Sequence, residues 1–126
     1  MRTMVLTLLI AGCGDKGDTG EVAELTFAEV DAVLVQSCGF SSCHGGGEGG
    51  LTLDGDGDYD ALVGVESTVM TGAILVTAGS ADGSYLIDKM EGAGGIEGDP
   101  MPPSGLLDAA TVSQIRDWID RGAAND

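Results

Sequence analysis

Glycine abundance sets the terms on which this 126-residue chain can fold: it has 22 glycines and only five aromatic side chains, Phe27, Phe40, Tyr59, Tyr85 and Trp118. Each glycine adds backbone entropy that folding must overcome. Aromatic side chains supply the largest buried areas, and here they are few. The length suits one domain, whose own core would leave it marginally stable. Chains of this kind commonly need a staple, which is a metal, a disulfide or a cofactor. One stretch offers it: Cys38-Gly39-Phe40-Ser41-Ser42-Cys43-His44 holds the only histidine and two of the three cysteines.

The chain begins as an exported protein does. Met1-Arg2 gives a short positive start, and Met4 to Ala11 is an apolar run. That run is shorter than the roughly 20 residues a bilayer span needs, and it matches the apolar region of a signal peptide. Ile10-Ala11-Gly12-Cys13 resembles the lipobox of bacterial lipoproteins. That resemblance implies that residues 1–12 are removed and that Cys13 is lipidated and becomes the N-terminus. Residues 13–24, polar and glycine-rich, then read as a flexible tether, and residues 25–126 as the folded domain. With Cys13 carrying lipid, an even pair remains, Cys38 and Cys43. The net charge is −16, and −17 once Arg2 is removed. Such a charge argues against nucleic acid and anionic lipid as partners and favours proteins with basic faces.

Helical signals frame the domain. Thr26 and Glu29 form a capping-box pattern, with Leu25 and Val30 at the staple positions. Phe27, Val30 and Leu34 then define one apolar face, predicting a helix from Phe27 to about Gln36 or Ser37 that delivers Cys38. A short helix is expected from Tyr59 to about Val63, and an extended covering segment over residues 69–78. A further helix is expected from about Ala81 to Met90, capped by Ser80 or Asp82, with Leu86, Ile87 and Met90 inward. Residues 92–98 read as a flexible loop. Asp108 is a good N-cap for a last helix whose stripe is Val112, Ile115 and Ile119, with Trp118 beside it and Arg121 and Gly122 as stop signals. Asp54, Asp56, Asp58 and Asp60 invite a calcium reading, but Tyr59 stands where the turn glycine of an EF-hand belongs and Val65 where its glutamate belongs.

Three readings of Cys38, Cys43 and His44 compete. Zinc lacks a fourth ligand. A Cys38–Cys43 disulfide suits an exported protein but leaves His44 without a role. The third is covalent haem, whose familiar attachment pattern is C-x-x-C-H. Here the spacer is four residues, so Gly39-Phe40-Ser41-Ser42 must loop out if both sulfurs are to reach one haem edge. In Asp99-Pro100-Met101-Pro102-Pro103-Ser104-Gly105 three prolines stiffen a segment that presents one thioether, as a soft iron ligand needs; taken alone, the segment reads rather as a surface proline loop whose methionine packs into a gap. Taken in order, a helix, the Cys/Cys-His stretch, covering segments, a methionine loop and a closing helix, Ile115-x-x-Trp118-Ile119-x-x-Gly122-Ala123, resemble class I c-type cytochromes from about Leu25 onward. The likeness is greatest to small haem domains of planctomycete-type and related bacterial cytochromes.

The resemblance implies an all-α fold of short helices and long loops wrapped around one haem c, with the terminal helices crossing so that Phe27 meets Trp118. It implies Cys38 and Cys43 as attachment residues, His44 as the proximal iron ligand and Met101 as the distal one, ahead of Met90 or Met70. His/Met ligation suits an electron carrier rather than an enzyme. The expected function is single-electron transfer in the bacterial cell envelope, from a periplasm-facing or cell-surface lipoprotein, alone or as a subunit of a larger redox assembly. Two alternatives stay open: a peroxidase-like haem enzyme with an exchangeable distal ligand, and a haem-free, disulfide-bonded lipoprotein that acts as an interaction module.

Overall fold

The computed structural model describes residues 23–126, so the leader over residues 1–12, lipidation at Cys13 and nearly all of the proposed tether lie outside the described residues. The domain is helical with little strand. Its elements are α1 (Phe27–Cys38), two 3-10 turns (His44–Gly46 and Glu48–Gly50), α2 (Asp58–Leu62), α3 (Tyr85–Glu91) and α4 (Ala109–Asp120). Three isolated β-bridges are the only β pairing among the described residues. No helix among the described residues is long and apolar enough to cross a membrane.

The entry to α1 is the capping box its sequence announces. Glu29 N donates to Thr26 Oγ1 at 3.3 Å, and Thr26 N donates to Glu29 Oε2 at 2.9 Å. The Thr26 N–H first, and the Thr26 hydroxyl second, which also donates to Glu29 Oε2 at 2.9 Å, hold the Glu29 carboxyl below its ordinary range. Phe27, Val30, Leu34 and Cys38 are the buried residues of α1. Their spacing of three, four and four places them on one stripe. Cys38 therefore lies inside the last turn, in register with the core, rather than beyond the helix end.

At the other end of the chain, Asp108 caps α4 by accepting from Thr111 N at 2.9 Å. Val112, Ile115, Trp118 and Ile119 are buried along α4. The terminal helices meet as expected: the Phe27 and Trp118 rings lie 5.6 Å apart, and Tyr59 stands edge-on to Phe27 at 5.0 Å. The residues after α4 lock this cluster. Tyr59 OH donates to Ala123 O, Trp118 Nε1 donates to Ala124 O, and Phe27 N donates to Asp126 Oδ1. The carboxylate at the first turn of α1 satisfies a helix-end donor and complements the helix dipole.

Between α2 and α3 the expected extended segment over residues 69–78 is found only in part: residues 69–72 bend and turn, Ala73 N donating to Met70 O, and the extended stretch that follows is held by the bridges Val63↔Val76 and Glu66↔Ile74. α2 begins and ends one residue before its predicted range. The start of α3 differs more. The helix begins at Tyr85, not Ala81, and neither Ser80 nor Asp82 caps it. Residues 80–84 form tight turns instead, in which Ser84 Oγ donates to Ser80 O and accepts from Thr77 N. The first α3 donors are taken by the covering segment: Tyr85 N bonds Ile74 O, and Leu86 N bonds Leu75 O. Arg116 of α4 pairs with Asp82 and Glu91, tying α4 across α3.

The aspartate loop is built around its own backbone. Asp58 accepts from Asp54 N and Gly55 N through its two carboxylate oxygens. Asp31 of α1 faces it, and Asp31 Oδ1 is buried with no hydrogen-bond partner among the described residues. Burial first, then hydrogen bonding to Asp58, then the charges of Asp58 and Asp54 push the Asp31 carboxyl up from 3.8 to about 6. Two carboxylates in contact can only accept, so a proton on Asp31 is the missing donor. Because the folded value lies above the unfolded one, the stability this proton contributes is complete below 3.8 and is lost as the pH rises through about 6. Asp31→Asn puts an amide donor in its place. The urea midpoint of that variant is expected to exceed that of the native chain at pH 7, with the gap narrowing as the pH falls from 6 towards 4; an equal gap at both ends would refute the shared proton.

Candidate haem site

A cavity of about 660 Å³ opens between the end of α1, the His44 turn, the covering segment, α3 and the methionine loop. Its volume lies within the roughly 300–1,000 Å³ typical of small-molecule and cofactor pockets. Leu51, Leu53, Val65, Leu75 and Leu86 give it apolar walls, while the exposed Glu48, Glu66, Glu97 and Asp99, with Lys89, are the charged residues at its lining. Three of the four residues singled out in the sequence line it: Cys38, His44 and Met101. Met90 also lines it and is fully buried, whereas Met101 is half-buried; Met70 is not part of the lining.

Cys43 does not belong to this wall. Its half-buried thiol lies 3.9 Å from Ser42 Oγ. Both Cys38 and Cys43 are free thiols, with no disulfide between them. Burial pushes the Cys38 thiol up, and the nearby Cys43 adds to the rise, so Cys38 sits in the wall as a neutral thiol.

The spacer is a tight turn. Cys43 N and Gly45 N both donate to Phe40 O, at 2.8 and 3.1 Å, which throws Phe40 out to solvent at 60% exposure. The glycines after His44 serve this turn first. A Cβ on Gly45 would collide with Gly39 O, and one on Gly46 with Ser41 O. Only Gly49 lies beside the imidazole, where a Cβ would sit 3.8 Å from His44 Cε1. These glycines are therefore places where the spacer packs on its own backbone, not a uniform loop.

His44 is oriented by the backbone. Its Nδ1 lies 3.2 Å from Leu51 O, and a carbonyl oxygen only accepts. In the neutral ring Nδ1 therefore carries the proton, which leaves the lone pair on Nε2. Nε2 makes no hydrogen bond among the described residues. The Leu51 carbonyl is held in turn because Leu53 N donates to His44 O at 3.0 Å, so the turn closes on itself. A ring nitrogen held by a carbonyl with the other nitrogen free is the arrangement of a metal-ligating histidine. Nothing in the residue pattern singled out Leu51 as the orienting group, because a backbone carbonyl carries no residue identity. Tyr85 and Lys89 were likewise not singled out, although Lys89 is the only Lys or Arg between Lys16 and Arg116.

Comparison of the chain with family models, with curated proteins and with solved structures finds no match.

Gly45→Ala is expected to force the spacer turn open and cost about 1–3 kcal/mol, the usual range for overpacking. Gly94→Ala is the control, since a Cβ there meets nothing within 4 Å. Chemical denaturation of the two variants checks this, and equal midpoints would contradict the packing role of Gly45.

Proposed function

We propose that this domain carries single electrons through one covalently bound haem, as a c-type cytochrome of the class I kind. The observation that supports it most is His44: its Nδ1 is held to Leu51 O, leaving Nε2 unbonded on a cavity that Cys38 and Met101 also line. The residues present fit haem chemically. They offer an imidazole nitrogen in the ligating tautomer, a thioether, a wall thiol and a mostly aliphatic enclosure.

When bound, haem supplies an iron centre that changes by one electron. The chain's own groups then have separable tasks. The Cys38 thiol anchors the group from the end of α1. His44 Nε2 would hold the iron, with the Leu51 carbonyl fixing its ring. The Met101 thioether would be a second, soft ligand, a type that favours reduced iron. The aliphatic wall excludes water. Cys43, off the wall, is the weaker anchor, so attachment through Cys38 is the reading the geometry favours. No side chain needs to act as acid, base or nucleophile.

In the wider reading, lipid on Cys13 holds the protein at a membrane of the bacterial envelope. Its acidic surface speeds encounter with redox proteins that present basic faces, whether as a free carrier or within a larger assembly.

Expression as an exported protein in a host with haem-attachment machinery, followed by a denaturing gel stained for haem, tests the proposal. A haem-positive band is expected from the native chain and from Cys43→Ala, and none from Cys38→Ala; a native chain without covalent haem would sink the proposal. In the oxidised haem protein, Met101→Ala is expected to lose the sulfur-to-iron charge-transfer band. Its potential should fall by roughly 0.1 V or more, within the ~0.8 V range that axial ligands span. Persistence of the band would mean that another methionine, such as the cavity-lining Met90, is the ligand, and peroxidase activity already present in the native chain and not lowered by Met101→Ala would favour an enzyme.

A further inference from the structure

We propose that Lys89 is a positioning residue: it holds the 97–101 loop against α3 and so presents Met101 to the cavity. This inference rests on the His44/Met101 reading for its functional meaning. Four bonds join α3 to the loop. Lys89 Nζ donates to Glu97 O at 2.7 Å and to Asp99 O at 2.6 Å. Tyr85 OH accepts from Glu97 N at 2.9 Å. Met101 N donates to Lys89 O at 2.8 Å.

The arrangement has a physical logic. Glycines punctuate residues 92–98, and Gly92, Gly95 and Gly98 all adopt positive φ, so this stretch has little local preference of its own. Two charge-assisted bonds from one ammonium replace that missing preference, and such bonds are stronger than neutral ones. Carbonyl groups are the partners, so no carboxylate neutralises Lys89 among the described residues. Its charge is instead satisfied by two oxygens that an unclamped loop would turn to water. The bond from Met101 N then fixes the residue after Pro100, whose ring packs against the end of α3 at Gly92. The expected flexible loop at residues 92–98 is thus tied down at its far end, and the tie ends on the residue that lines the cavity.

Lys89→Met tests this with the helix and the aliphatic stem kept. In the haem-loaded protein, hydrogen exchange at the Glu97 and Met101 amides is expected to lose about tenfold in protection, the scale of one charged hydrogen bond. The sulfur-to-iron band is expected to weaken in parallel, and Lys89→Arg, which keeps donors at this position, to restore both. Unchanged protection in Lys89→Met overturns the clamp, with or without a change in the band. A native protein that lacks the band while Lys89→Met still loses protection overturns Met101 ligation and leaves the tether standing, so the two failures are told apart.

Discussion

The contact between Phe27 and Trp118 is the constraint on which the rest of the domain depends. It joins the first described helix to the last, and Tyr59 of α2 closes over it. Around it the polar tips are satisfied by the residues after α4: Ala123 and Ala124 offer carbonyls, and Asp126 offers a carboxylate to the start of α1. Three aromatic rings in one cluster give an aromatic-poor chain a fixed point. Because α1 is anchored there by Phe27, its stripe continues through Val30 and Leu34 and brings Cys38 to the cavity wall. The position of the site is thus set by packing about eleven residues away along a rigid helix, at ~1.5 Å per residue.

The cavity concentrates opposing chemistries. Its walls are mostly aliphatic, the residues at its lining include four exposed acids and Lys89, and the chain as a whole is strongly acidic. In such a place electrostatic orientation depends on backbone groups more than on ion pairs. Leu51 O fixes His44, and Glu97 O and Asp99 O receive Lys89. The one described carboxyl held far above its usual range, Asp31, lies at the α1–α2 junction and affects stability there rather than the chemistry of the cavity.

Much of this was legible in the residues. Capping residues announced both terminal helices because a cap is a local device: Thr26 with Glu29, and Asp108 with Thr111, need only neighbours three positions away. Apolar spacing announced the inward faces for the same reason. The start of α3 departs from its sequence signals because Ser80 and Asp82 are good caps in isolation, while the carbonyls of Ile74 and Leu75 take the first helix donors from another segment. Residues 92–98 were read as flexible from their glycines, and Lys89 and Tyr85 show that distant donors and acceptors can order such a stretch.

The residues in order carry the helical signals, the two capped terminal helices and the candidate ligand types of His44 and Met101, because each rests on neighbours along the chain or on chemistry carried by a single side chain; the meeting of Phe27 with Trp118 joins residues far apart in the chain and was implied only by the family resemblance. Only the tertiary structure decided which of those residues share a cavity. It placed Cys38, His44 and Met101 there and left Cys43 out, because the four-residue spacer folds on carbonyls of Gly39, Phe40 and Ser41. It also decided the tautomer of His44, since the oxygen that sets it belongs to a backbone group seven residues on, and no residue name records where a carbonyl points.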